Sequence, residues 1–144
     1  MNAKAYLELR KQHEEEIANF RIAYAFSTSQ FAEALQKLEA TEDEVTSIWG
    51  HGEILRKTDV RSYLEMLKRH VKEIHELLKD EEIAEEAFLY EMDNHEYAIN
   101  WDGDEDVLAV FALSSEELEE KGLESAYRRA KKRHMKHAMD WGMI

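Results

Sequence analysis

The first apolar pattern along the chain is helical. Tyr6, Leu9, His13, Ile17 and Phe20 recur at steps of three and four, which stacks them on one face of a predicted helix over 3–20. The period then changes. Ile22, Ala23, Tyr24, Ala25 and Phe26 form a short apolar run, read as a strand over 22–27. Ser27, Thr28 or Ser29 caps a second helix, buried through Phe31, Ala34, Leu35 and Leu38 and ending near Ala40. Two short strands, 45–49 and 53–57, are expected around Gly50-His51-Gly52, because glycine takes turn angles that other residues avoid.

Thr58 or Asp59 opens a long helix to Lys79, with Tyr63, Leu64, Leu67, Val71, Ile74, Leu77 and Leu78 facing inward. Another helix follows from Asp80 to Met92, with Ile83, Ala87 and Phe88 inward and Glu81, Glu82, Glu85 and Glu86 outward. Residues 94–101 continue it or form a strand. Asp102 to Asp106 reads as a turn into a short helix through Leu113. Ser114 and Glu117 have capping-box spacing. They open a helix toward Asp140, with inner stripe Leu118, Leu123, Ala126, Tyr127, Ala130 and Met135, weakened at Gly122. The expected fold is α+β and helix-dominated, with about five helices on a small antiparallel sheet, in one domain spanning 1–144.

Charge adds a division that periodicity does not show. Residues 1–120 hold thirty acids against twelve bases; residues 121–144 hold two acids against seven bases. An acidic body therefore ends in a basic helical segment, 121–140. The densest acid lies in 80–120, with sixteen acids and no Lys or Arg. That stretch keeps many large apolar residues, so it reads as folded chain with an acidic outer face rather than as a disordered tail. Such a face repels nucleic acid and attracts basic surfaces.

Other chemistry is thinner. There is no Cys, hence no disulfide, thiol nucleophile or thiolate metal site. The N-terminus lacks an apolar leader core, and no window reaches the roughly 20 apolar residues of a membrane span. A cytoplasmic protein is expected. Gly50-His51-Gly52 lacks phosphate-loop spacing and reads as a structural turn. Asp102, Asp104 and Asp106 imitate the start of a calcium loop, but Val107 stands where that loop needs Gly and Leu113 where it needs Glu. His134 and His137 are three apart, yet no Glu-x-x-His accompanies them. No metal, cofactor or catalytic residue is expected.

Several segments occur together in a familiar order: Tyr24-Ala25-Phe26-Ser27 before Gln30-Phe31, Gly52 through Ile54 to Arg56-Lys57-Thr58-Asp59, Asn94-His95-Glu96-Tyr97, and Ala112-Leu113 before Ser115-Glu116-Glu117. Over residues 5–130 this resembles a family of small uncharacterised proteins of bacteria, phages and mobile elements. The chain departs from it at Trp49-Gly50-His51-Gly52, where the family carries a longer glycine run. The resemblance implies a mobile-element context, in which small acidic proteins often inhibit host defence.

The expectation from sequence is a non-enzymatic inhibitor. Its acidic, nucleic-acid-mimicking face would bind a basic nucleic-acid-binding protein, in the manner of an anti-CRISPR blocking the nucleic-acid groove of a CRISPR effector nuclease. The expected contacts are Glu81, Glu82, Glu85, Glu86, Asp102, Asp104, Glu105 and Asp106, with Trp101 as anchor. Direct nucleic-acid contact is expected only if Arg128, Arg129, Lys131, Lys132 and Arg133 supply it. One alternative is a homodimer or larger oligomer pairing basic tail with acidic body; another is a small metal-dependent enzyme.

Overall fold

The computed structural model describes residues 3–94 and 103–142. The fold is α+β and helix-dominated, with seven α-helices and one three-stranded antiparallel sheet among the described residues. The chain divides into two compact units: Glu14–Arg69, and Met1–His13 with His70–Ile144.

The unit Glu14–Arg69 holds the sheet. Strands β1 (Ile22–Tyr24), β2 (Val45–Thr46) and β3 (Glu53–Arg56) lie in the order β1-β3-β2. Ile22 pairs with Leu55, and Ala23 with Ile54. Alternation sends these pairs to opposite faces. Ala23 and Ile54 pack with Val45 against Ala34 and Leu38 of α2 (Thr28–Leu38). Ile22 and Leu55 pack with Tyr63 and Met66 of α3 (Val60–Leu77) and with Ile17 of α1 (Lys4–Asn19).

β1 is shorter than the expected 22–27 because the chain turns into α2. Ser27 caps that helix, accepting from the Gln30 amide at 3.2 Å, while the Gln30 side chain accepts from the Phe26 amide at 2.7 Å. α2 ends at Glu39 in the left-handed region, φ 52°. The Ala40 amide returns to Leu35 O and the Glu39 amide to Gln36 O. Arg56 covers two further carbonyls there, Leu38 O and Glu39 O, both at 2.8 Å. Leu64 does not face inward as expected; it is 41% exposed, and Met66 takes the core position.

The other unit is helical. It combines the start of α1 and the end of α3 with α4 (Glu81–Asn94), α5 (Gly103–Val110), α6 (Ser115–Glu120) and α7 (Glu124–Asp140). Phe88 is its centre, edge-on to Phe111 at 5.0 Å and to Tyr127 at 5.2 Å. α4 and α7 make the most extensive helix–helix contact among the described residues. Ala84 and Ala87 on one, and Ala126, Ala130 and Ala138 on the other, are fully buried and let the backbones approach.

Two expected helix boundaries change in this unit. Asp104 to Asp106 lie in the first turn of α5, which starts at Gly103, not in a turn before it. The expected long C-terminal helix is two helices. The Ser114–Glu117 capping box opens α6 as predicted. Gly122 then takes φ 71° and closes it: the Leu123 amide bonds Leu118 O at 2.8 Å and the Gly122 amide bonds Glu119 O at 3.1 Å. Leu118 and Leu123 bury together beneath this turn. Ala112, at φ 53°, ends α5 in the same manner, with Leu113 bonded back to Leu108 O.

Candidate partner-binding surface

The acids expected to meet a partner sit on α4 and α5, and α4 already faces a set of cations. Acids at 81 and 85 repeat at one helical turn; so do the arginines at 129 and 133 on α7. Arg129 lies 3.0 Å from Glu81 and 2.5 Å from Glu85. Arg133 lies 2.8 Å from Glu85 and 2.8 Å from Glu86. Numbers rise together along both helices, so α4 and α7 run parallel and the pairs form a ladder. Burial opposes the charge on Glu85, yet the Arg129 and Arg133 guanidiniums hold its carboxyl below the usual range. Glu85 and then Glu81 push Arg129 up; Glu86 does the same for Arg133.

This alters the expected site. Glu81, Glu85 and Glu86 are neutralised within the chain, and only Glu82 of that group is exposed without an ion pair. On α5, Asp104 accepts from the Tyr127 hydroxyl at 2.6 Å and lies 3.5 Å from the Lys131 ammonium. Glu105 and Asp106 are exposed. Trp101 and Asp102 lie outside the described residues, as do His95 and Glu96. The basic segment thus divides: Arg129, Lys131 and Arg133 pair with acids of α4 and α5, Arg128 pairs with Glu124, and Lys132 is exposed.

A second group of exposed acids was not singled out from sequence. Glu116, Glu119 and Glu120 on α6 are exposed and without an ion pair among the described residues. Their signal was legible: with Leu118 buried, its α6 neighbours must turn outward.

Two buried networks fix the surroundings. Tyr6 and Arg10 on α1 both reach the buried Glu91 carboxylate, the arginine at 3.0 Å. Burial, then the hydrogen bond to Glu91, raises the Tyr6 hydroxyl pKa well above normal. Asp93 lies 2.6 Å from Nδ1 of the buried His134 and 3.1 Å from that of His137. His134 therefore takes the core position expected for Met135, which is 37% exposed. These are hydrogen-bond separations, and among the described residues no group of His, Asp or Glu is placed to hold a metal ion.

The glycine turn also has a defined chemistry. Glu53, 3% exposed, accepts from the Ser47 hydroxyl at 2.7 Å and from the amides of Trp49, Gly50 and His51 at 2.5, 3.0 and 3.0 Å. The Ser47 hydroxyl, with the Trp49 and His51 amides, lowers the Glu53 pKa to about 2. The loop's amides thus already surround an internal anion, which leaves no cradle for a phosphate.

Family comparison covers most of the chain. A family of unknown function, DUF7659, matches residues 5–133. The chain belongs to this family. The match spans α1 to α7 up to Arg133, so the α4–α7 ladder lies within the family's extent. No curated protein and no solved structure matches the chain. Among the described residues no helix is long and apolar enough to cross a membrane.

Proposed function

We propose that this protein is a non-catalytic binding protein that receives a basic protein surface on the acids its own arginines leave free. Glu119 and Glu120 carry the reading. Acids at Glu82, Glu105 and Glu116 lie in first turns, where a helix dipole favours negative charge. Glu119 and Glu120 lie in the last turn of α6, where the dipole opposes them, and no base lies in that turn. They are exposed, and no ion pair joins them to Lys121, the helix C-cap, or to any other base among the described residues. A Lys or Arg cluster on another protein would supply one.

Proteins that hold nucleic acid present such clusters, and electrostatic steering would set the encounter rate and orientation. The concrete form, an anti-CRISPR-type inhibitor occupying the groove of a defence nuclease, rests on the resemblance to phage and mobile-element proteins and on the net charge of −13. Glu81, Glu85 and Glu86 would join the contact only where Arg129 and Arg133 release them.

The test is affinity capture from a bacterial lysate containing a CRISPR effector, at two salt concentrations. The wild-type chain is compared with a variant carrying Glu82→Lys, Glu105→Lys, Glu119→Lys and Glu120→Lys. Salt-sensitive capture of one basic protein, lost in the variant, is expected. Equal capture by both proteins rules out these acids as the contact.

A further inference from the structure

The outer side of α7 differs from the side that meets α4. Lys132 and Lys136 are exposed and have no ion pair among the described residues. Met135 and Met139 are exposed beside them, the latter at 65%, and Trp141 follows at 56%. Positions 132 and 136, and 135 and 139, are each one turn apart, so the four form one stripe. A chain of net charge −13 thus presents a stripe that is both basic and apolar. Such a stripe fits an acidic surface with some apolar area.

We propose that the surface is a second copy of this chain, with Glu116, Glu119 and Glu120 of one copy receiving the α7 stripe of the other. This rests on the reading that those acids bind a basic surface, and it names one. Within a chain, these lysines and acids make no ion pair with each other, so both sets are left over. A two-fold arrangement joins them twice, since residue i meets j and j meets i. The like net charges of two copies are largely screened beyond about 8 Å at physiological salt, whereas contacting pairs are screened much less. Self-association would then compete with a basic partner for the same acids.

Sedimentation velocity of the full chain over a range of concentrations at physiological salt tests this. A reversible dimer is expected. Lys132→Glu with Lys136→Glu should weaken it by about tenfold or more. A second variant, Glu116→Lys with Glu119→Lys and Glu120→Lys, should also be monomeric alone. Mixed together, the two variants should associate, because the reversed charges match again. All five positions are exposed, and circular dichroism checks that each variant folds. A monomeric wild type, or a dimer indifferent to the lysine reversals, overturns the proposal. Oligolysine titration separates the two readings. A monomer that binds oligolysine through the α6 acids loses the second copy and keeps the basic partner. A monomer that does not bind it loses both.

Discussion

One guanidinium nitrogen of Arg133 lies 2.8 Å from Glu85 and 2.8 Å from Glu86, and so joins the basic end of the chain to the start of its acidic run. Arg133 is 41% exposed at the side chain and its partners about 20%, so the pairs are partly screened. Arg133→Ala should cost about 1 kcal/mol at low ionic strength and less in high salt. Urea denaturation at two salt concentrations measures both. The same variant leaves Glu86 uncompensated, while Glu85 keeps Arg129, and should bind oligolysine more tightly than wild type.

Glu53 gives the glycine turn a pH dependence with a defined sign. Its folded pKa of about 2 lies below the ordinary 4.5. Its stabilising contribution is therefore complete above pH 4.5 and is lost as pH falls through 2. Trp49 donates its amide to this carboxylate, which makes it the reporter. With Trp101 and Trp141 replaced by Phe, Trp49 fluorescence should stay constant to below pH 4.5 and change as pH falls through about 2. Glu53→Gln should show the altered signal already at neutral pH.

Two helix ends predict opposite effects from small changes. Ala112 occupies a left-handed position that favours glycine, so Ala112→Gly should stabilise by roughly 0.5–1 kcal/mol. A Cβ at Gly122 would meet no atom within 4 Å, so the cost of Gly122→Ala is backbone strain alone, about 1 kcal/mol. Thermal denaturation of the two variants should move the midpoint in opposite directions.

The buried Glu91 needs its donors. Tyr6→Phe removes one and leaves a carboxylate deep in the core, at a cost of about 1–3 kcal/mol. Glu91→Gln in the same background should recover part of that loss, because a neutral amide is cheaper to bury. A double-mutant cycle by denaturant unfolding measures the recovery.

Local signals were readable where one residue type allows one geometry. A cap among Ser27, Thr28 and Ser29, which Ser27 supplies, and Ser114 with Glu117 as a capping box are such cases. The ends of α2 near Ala40 and of α5 by Leu113 were placed within a few residues, but their left-handed stops at Glu39 and Ala112 were not legible, because those residues are not glycine. Gly122 was seen as a weak point, but the burial of Leu118 against Leu123 makes it a stop. His134 displaced Met135 from the expected stripe because Asp93 satisfies its ring. The ladder had a sequence trace in its matching steps of four, 81 and 85 against 129 and 133. Periodicity within each helix does not reveal that α4 and α7 pack parallel and in register, and so the acids of α4 were read as free.

The central claim is that particular acids, rather than net charge, receive a basic partner. Titration calorimetry of the full chain with a lysine-rich peptide tests it using two variants of equal charge. One reverses Glu82, Glu105, Glu119 and Glu120; the other reverses Glu8, Glu15, Glu33 and Glu42, also exposed. The account predicts at least tenfold weaker binding in the first and a much smaller loss in the second. Equal losses in both would show that net charge alone attracts the peptide and would contradict the account.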